Sequence, residues 1–305
     1  MAMGIKGLVR SFLSRVRGWL EEEDSSGEGP RQLEPIEFDN SYKWLWKSME
    51  ILMNDPVACK RPHYVWGVLQ GAALGKVLGH TRVSVIEIGV AGGAGLVAME
   101  RAAELCEPLA GIGIDVYGFD TGMGIPKPQD YRDMPYKWSE GYYPCDVAEL
   151  RKRLRRADLR IGLLKQTMPA FVQARPSPVA FIGFDTGMYS STKDAMCLFE
   201  AEHDVLIPRL PCAFRSAIGK DVSEYGTELL AISEFNAAHD SRKLSAIRGL
   251  LFFIPPQFRW WWVDMMFSLH IFDHPLYAAP DAYKQSAAID LDDTERFLAV
   301  DESRS

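Results

Sequence analysis

The segment from Val83 to Glu104 constrains the fold more than any other stretch, because it joins an apolar run, a glycine-rich turn and a helical pattern. The apolar run suits a buried strand of a parallel sheet. A strand, a glycine turn and a helix N-terminus together predict a site for a polar ligand. Four glycines permit a tight turn that a ligand can approach closely, and they are Gly89, Gly92, Gly93 and Gly95.

Two carboxylates flank this turn and narrow the choice of ligand. Glu87 lies inside the strand just before the turn, which does not fit the dinucleotide-binding fingerprint, and a carboxylate there can hold a cationic amino group. Asp120 ends a second predicted strand, Gly111–Asp120. An acidic residue at that position of a doubly wound sheet accepts hydrogen bonds from ribose hydroxyls. Both side chains are therefore predicted to face one cofactor.

The pattern Glu87-x-Gly89-x-Ala91-x-Gly93 resembles motif I of class I S-adenosylmethionine-dependent methyltransferases. Segments 117–121 and 124–126, together with Phe184-Asp185 and segment 189–192, are similar to the macrocin O-methyltransferase type and its bacterial relatives. The resemblance covers residues 55–280. It implies an α/β fold with a Rossmann-like seven-stranded sheet, mostly parallel, an antiparallel last strand and an N-terminal helical extension. The cofactor-binding residues that it implies for S-adenosylmethionine are Glu87, Gly89, Val90, Ala91, Gly93 and Asp120.

The family's magnesium site is predicted to be absent from this chain. In metal-dependent members, an aspartate after strand four, a second acidic residue nearby and an Asp-Asp pair after strand five bind the ion. Asp185 matches the first position, but Gly187 stands at the second and Arg215 and Ser216 replace the pair. One carboxylate cannot replace this set, and an arginine has no lone pair for a metal. We expect the Arg215 guanidinium to pair with Asp185 instead.

Without a metal, a side chain must remove the proton of the acceptor hydroxyl. Asp185, His270 and His274 are the predicted catalytic residues, with His63 as a further candidate. The resemblance implies O-methylation of a sugar or other small hydroxyl acceptor. The alternative is a catalytically silent homologue that senses the cofactor or binds a partner, which the lost metal ligands favour. A dehydrogenase is disfavoured by the position of Glu87.

Several other segments give expectations for the fold. The long polar and aromatic loop from Thr121 to Cys145 follows the carboxyl end of a strand, so we interpret it as a lid over the substrate. Leu163 stands where the family usually has a polar residue that reads the adenine edge. The remaining strands are predicted at 159–164, 178–185, 206–214, 243–253 and 260–271.

Residues 1–38 are predicted to form an amphipathic helix and a mobile acidic linker, and residues 39–305 the methyltransferase-like domain with a helical lead-in at 39–80. The basic helix at 1–20 fits either a peripheral membrane contact or docking on the body or on a second subunit, as in a homodimer. A net charge of -7 argues against nucleic-acid binding. No apolar run reaches the ~18 residues that span a bilayer, and five scattered cysteines fit a cytoplasmic protein with reduced thiols.

Overall fold

A seven-stranded sheet is the central element of the computed structural model, which describes residues 37–38 and 41–279 of the chain. The strands are β1 (Arg82–Ile88), β2 (Gly113–Asp120), β3 (Asp158–Ile161), β4 (Val179–Phe184), β5 (Arg209–Phe214), β6 (Arg242–Ala246) and β7 (Met266–Ile271). Their order is β3-β2-β1-β4-β5-β7-β6, and β7 runs antiparallel to both of its neighbours. This confirms the predicted α/β fold with a Rossmann-like seven-stranded sheet, mostly parallel with an antiparallel last strand.

Helices flank the sheet and connect its parallel strands. They are α1 (Tyr42–Asn54), α2 (Pro62–Val77), α3 (Ala94–Ala110), α4 (Val147–Arg153), α5 (Leu164–Gln173), α6 (Tyr189–Ala195), α7 (Thr227–Ala238) and the single turn α8 (Leu250–Phe253). The helical lead-in predicted at 39–80 corresponds to α1 and α2. Pro62 does not break a helix, because it occupies the first turn of α2, where a missing N–H costs no hydrogen bond.

Helix α2 lies directly on β4, and two glycines make this close approach possible. A Cβ atom on Gly67 would come within 2.1 Å of the Phe181 ring, and one on Gly71 within 2.2 Å of the Ala180 carbonyl oxygen. The helix is apolar on all sides and almost wholly buried. Its position fixes its N-terminus, and hence His63 and Tyr64, at the carboxyl edge of the sheet.

The last two strands are shorter than predicted. The predicted strand at 243–253 ends at Ala246 and is followed by Gly249 in a left-handed conformation and by α8. The predicted strand at 260–271 begins only at Met266, because Trp261–Met265 form a 3₁₀ helix. Pro255 and Pro256 lie between these segments and cannot donate to a strand ladder.

The predicted N-terminal region, residues 1–38, lies outside the described residues except for 37 and 38. Contacts divide the chain into Met1–Pro35 and Ile36–Ser305, and all described residues belong to the second unit. The predicted amphipathic helix, its membrane contact and the homodimer therefore stay predictions. Within the described part of the chain, no helix is long and apolar enough to cross a membrane.

Candidate functional site

A cavity of about 790 Å³ opens at the carboxyl edge of the sheet, where β1, β2, β4 and β5 end. This volume falls in the range of roughly 300–1,000 Å³ that is typical of small-molecule sites. The start of α2, the loop 121–145 and the segment around Trp261 complete its wall. The predicted site residues that line the cavity are Glu87, Gly89, Val90, Ala91, Asp120 and Asp185.

The glycine turn after β1 packs so closely against its neighbours that two of its glycines leave no room for a side chain. Gly89 has a φ of +88°, and a Cβ there would lie 2.4 Å from the Asp185 carbonyl oxygen. A Cβ on Gly95 would lie 1.8 Å from Oε1 of Glu87. The turn thus lets the end of β1 meet the end of β4 and brings the start of α3 against the Glu87 carboxylate.

Gly93 serves this turn without lining the cavity. It caps α3 with a φ of +80°, and a Cβ there would lie 2.1 Å from the Leu150 side chain. Its predicted role in cofactor binding is therefore indirect in this structure. Gly92, Ala94 and Gly95 line the cavity beside it.

Asp120 ties the end of β2 to the glycine turn. Its Oδ2 accepts hydrogen bonds of 2.9 Å from the backbone N–H groups of both Val90 and Ala91, and its Oδ1 accepts one of 2.7 Å from Gly122. Because the amides of Val90 and Ala91 donate to Asp120, these two residues contribute their backbone shape to the cavity. A carboxylate has about four acceptor sites, so Asp120 keeps acceptor capacity for a ligand hydroxyl.

Glu87 is a buried carboxyl group with one oxygen satisfied and one free. Oε1 accepts a hydrogen bond of 2.8 Å from the Tyr64 hydroxyl, whereas Oε2 has no partner within the described residues. Desolvation raises the pKa of Glu87 to about 8, and the Tyr64 hydrogen bond opposes this rise. An unsatisfied carboxyl oxygen at the edge of a cavity suits a cationic donor, whose arrival would restore the charged form.

Arg61 and His63 enter the cavity wall at the start of α2. The positive charge of Arg61 lowers the pKa of both Glu87 and Asp185. Within the described ranges, the Arg61 guanidinium has no carboxylate within 4.0 Å. Desolvation lowers the pKa of His63 to about 3, with Arg61 and Arg215 adding to the effect. His63 is therefore neutral and weakly basic.

Asp185 follows β4 and lines the cavity, and β4 pairs with the opposite edge of β1 from β2, the strand that Asp120 ends. Its side chain is exposed to the cavity, but the protein atoms around it partly desolvate the carboxyl and raise its pKa, while the charges of Arg215 and Arg61 lower that pKa. The expected ion pair between Asp185 and Arg215 is not formed, because no N–O distance between them is within 4.0 Å. The Arg215 guanidinium lies 5.3 Å from the centre of the Trp261 ring instead.

The residues around Asp185 do not fit a magnesium ion. Gly187 has a φ of +69°, and a Cβ there would lie 2.9 Å from the Trp138 ring, so an aspartate in its place would collide with the indole. Arg215 adds a positive charge at the next position of the family's metal site. Within the described part of the chain, no group of three or more His, Cys, Asp or Glu side chains is arranged to hold a metal.

A second buried carboxyl group lies behind this region. Glu228 of α7 accepts a hydrogen bond of 2.7 Å from the Ser216 backbone N–H, and desolvation raises its pKa to about 8. Its side chain is fully buried and does not line the cavity. It anchors the turn after β5, which carries Arg215.

Loop 121–145 forms part of the cavity wall, and its interpretation as a lid over the substrate stays a prediction. Lys137, Trp138 and Tyr143 line the cavity. Buried Asp133 fastens the loop to α6 through a hydrogen bond of 2.8 Å from the Ser190 N–H. Leu164, not Leu163, is the residue after β3 that reaches the cavity wall.

His270 and His274 do not reach the cavity. His270 pairs with Arg209 at the opposite end of β5, and its Nδ1 lies 3.0 Å from the Tyr277 hydroxyl. His274 uses both ring nitrogens within the fold, with Nε2 2.9 Å from the His203 carbonyl oxygen and Nδ1 accepting from the Leu276 N–H at 3.0 Å. Since an antiparallel strand carries them to the amino end of β5, this placement argues against the role predicted for either as a base here.

Three features of the site were not predicted from the sequence. The Tyr64 hydrogen bond to Glu87, the contact of Trp138 with Gly187 and the burial of Glu228 each join residues that are distant in sequence. The sequence did contain a signal for the position of Tyr64, since Pro62 marks the start of its helix. No comparable sequence signal indicated the positions of Trp138 and Glu228.

No protein-family model matches the sequence, and no curated protein matches it. Among solved structures, CalS11, a calicheamicin methyltransferase, shares 19% identity, covers 74% of this chain and 95% of its own, and gives a TM-score of 0.45. The O-methyltransferase NovP shares 15% identity over 58% of this chain and 72% of its own, with a TM-score of 0.44. An O-methyltransferase from Bacillus cereus, in complex with SAH, shares 15% identity over 65% of this chain and 82% of its own, with a TM-score of 0.32. The fold assignment rests on the strand order and not on these similarities.

Proposed function

We propose that this protein is an S-adenosylmethionine-dependent methyltransferase that methylates a hydroxyl group of a small molecule without a magnesium ion. The observation that carries the proposal is the buried Glu87 carboxyl, whose Oε2 has no partner within the described residues, at a glycine turn that also holds Asp120. This set of groups offers acceptors for an amino group and for ribose hydroxyls on one side of the cavity.

We call the part of the cavity around Glu87, Asp120 and Arg61 the cofactor half. Each of these residues would recognise one part of the cofactor. S-Adenosylmethionine, when bound, supplies an activated methyl group on a sulfonium centre. Glu87 would accept hydrogen bonds from its ammonium group, and Arg61, which has no carboxylate partner in the described chain, would hold its carboxylate. Asp120 would accept from the ribose. Tyr64 holds Glu87 in place for this contact.

Asp185 is the general base that the structure supports best. It lines the cavity beside the end of β1, and desolvation raises the pKa of its carboxyl. It would take the proton of the acceptor hydroxyl, which makes the oxygen a better nucleophile. His63, with a pKa of about 3, would accept a proton less readily. A sugar hydroxyl is the acceptor that the family resemblance implies.

A second candidate is a protein that binds the cofactor without turning it over. Arg215 supports this candidate, because its positive charge lowers the basicity of Asp185. In this case the cofactor half would bind as described above, but no methyl transfer would follow.

Calorimetric titration with S-adenosylmethionine tests the proposal, with magnesium added in one series and with a chelator in another. We expect the same affinity in both, and an affinity lower by roughly 10- to 100-fold in Glu87→Gln, because a hydrogen bond to a charged group is lost. The control is Glu228→Gln, the other buried glutamate whose pKa is about 8, which should keep the wild-type affinity. Absence of binding would overturn both candidates, and methyl transfer in a hydroxyl-acceptor screen would separate them.

A further inference from the structure

Two cationic side chains in the cavity wall contact aromatic rings and form no ion pair with a carboxylate of the described chain. The Arg215 guanidinium lies 5.3 Å from the centre of the Trp261 ring, and the Lys137 ammonium lies 5.0 Å from the centre of the Trp138 ring. All four side chains line the cavity. Within the described ranges, neither cation has a carboxylate within 4.0 Å. An aromatic face holds a cation in position and leaves its N–H donors available for another partner.

Two arginines act on the charged groups of the cavity. Arg61 acts on Glu87 of the cofactor half and also on Asp185 and His63, so its charge reaches both halves. Arg215, which follows the end of β5, acts on Asp185, His63 and Glu228. Arg215 therefore belongs to the side on which the acceptor would bind.

Positive charge exceeds negative charge on this acceptor side. Asp185 is the carboxylate that lines the cavity there, against Arg215 and Lys137. Glu228 adds no charge below about pH 8, because desolvation keeps its carboxyl protonated. The chain as a whole carries a net charge of -7, so this local excess of positive charge is not a general property of the protein.

We infer that the acceptor half binds a hydroxyl-bearing molecule that also carries an anionic oxygen group, a phosphate or a carboxylate, held by Arg215 and Lys137. This inference rests on the proposed function. The planar guanidinium can hold two oxygens of such a group, and the ammonium adds a point charge. The anion would be drawn to these cations and repelled by Asp185, so that the neutral hydroxyl of the same molecule faces the base. The aromatic rings of Trp138 and Trp261 would cover the apolar part of the acceptor.

Titration with small anions tests this inference on the full-length protein. Inorganic pyrophosphate serves as the phosphate probe and citrate as the carboxylate probe, each followed by calorimetry against sodium chloride at matched ionic strength. We expect saturable binding of at least one probe, with the tighter one identifying the anionic group. Arg215→Gln and Lys137→Gln should each weaken that binding by roughly fivefold or more. The matched control is Arg248→Gln, an exposed arginine outside the cavity lining, which should bind the probe like the wild type.

Three outcomes would overturn the inference: no saturable binding of either probe, equal binding by wild type and both cavity variants, or a loss of binding only in Arg61→Gln. Thermal unfolding of each variant shows whether it is folded. Titration of wild type and Arg215→Gln with S-adenosylmethionine separates this inference from the proposed function. Cofactor binding without anion binding defeats the inference alone, and anion binding without cofactor binding defeats the proposed function alone.

Discussion

The two halves of the cavity are built in different ways. In the cofactor half, the polar side chains are held by short-range contacts with backbone: Asp120 accepts three backbone N–H groups, and Gly95 packs against the Glu87 carboxylate. In the acceptor half, Asp185 and Arg215 make no ion pair with each other, and Arg215 lies on an aromatic ring. The first half is held mainly by contacts with backbone, with Oε2 of Glu87 left without a partner in the described chain, whereas the charged groups of the second half do not pair with each other.

This difference shows which positions of the cavity wall are tightly coupled to the sheet and which are not. A side chain at Gly89 or Gly95 must displace its neighbours, because a Cβ there would lie 2.4 Å from the Asp185 carbonyl oxygen or 1.8 Å from Oε1 of Glu87. Gly187, in contrast, lies in a loop outside the strands, and a Cβ there would lie 2.9 Å from the ring of Trp138, a residue of another loop.

Asp185→Asn tests whether the two halves are independent and should have the largest effect. If Asp185 removes the acceptor proton, kcat for methyl transfer should fall by roughly 100- to 10,000-fold, because that is the usual contribution of a general base. The affinity for S-adenosylmethionine, measured by calorimetry, should not change. Asp264→Asn, an exposed aspartate outside the cavity lining, is the control. A loss of cofactor affinity in Asp185→Asn would mean that the halves are coupled.

The pH dependence of the free energy of unfolding should reveal the buried carboxyl of Glu87 in the cofactor half. Its pKa is about 8 in the folded protein, against 4.5 for an ordinary glutamate. The folded state therefore keeps a proton that the unfolded chain releases. Stability from this group is fully present below about pH 4.5 and is lost as the pH rises towards 8, by up to about 3 kcal/mol at pH 7.

Denaturant unfolding at several pH values measures this loss, and Glu87→Gln should flatten the curve between pH 5 and 8. Tyr64, Asp185, Arg61 and Asp120 are the groups whose interactions with Glu87 contribute to its pKa. Glu228, whose pKa is also about 8, should give a similar loss, so the double variant Glu87→Gln/Glu228→Gln should be flatter still. An unchanged slope in Glu87→Gln would contradict the assignment of this carboxyl.

Gly95→Ala should damage the cofactor half through its packing. The added methyl group would lie 1.8 Å from Oε1 of Glu87, so the carboxylate or the helix must move. Overpacking of this kind lowers the free energy of unfolding by about 1–3 kcal/mol. Gly92→Ala, in the same turn, is the control, because a Cβ there meets no atom within 4 Å. Equal stability of the two variants in denaturant titrations would show that the close contact is not restrictive.

His274→Ala should have the smallest effect and should change stability alone. The variant loses two hydrogen bonds, to the His203 carbonyl oxygen and from the Leu276 N–H, at a cost of about 1–2 kcal/mol. Because His274 lies at the far end of β5 from the cavity, cofactor affinity and the pH profile of kcat should match those of the wild type. A shifted pH profile would restore His274 as a candidate base.

Sequence reasoning succeeded where function depends on residues that are close in the chain. The strand, the glycine turn and the start of α3 form one continuous segment, so their pattern predicts a ligand site directly. Asp120 could be added because parallel strands bring their carboxyl ends to one edge. The same reasoning was wrong about the strand at 243–253, which ends at Ala246 and is followed by Gly249 in a left-handed conformation and by α8.

The histidines show why the acceptor half was harder to predict. His270 and His274 have the right chemistry for a base, but β7 runs antiparallel, and this direction carries them to the other edge of the sheet. Strand direction depends on how the chain returns to the sheet, which periodicity does not report. Trp138 likewise reaches Gly187 only because the loop 121–145 folds back over the cavity.

The sequence alone predicted the sheet, the glycine turn and two carboxyl groups that line the cavity, Glu87 and Asp120, because these depend on local propensity and on the general rule that ligands bind at the carboxyl ends of parallel strands. Three contacts became visible in the folded structure alone: Tyr64 with Glu87, Trp138 with Gly187 and Arg215 with Trp261. Each of these contacts joins segments far apart in the chain. Their energies depend on distances and burial, which exist only after the chain has packed.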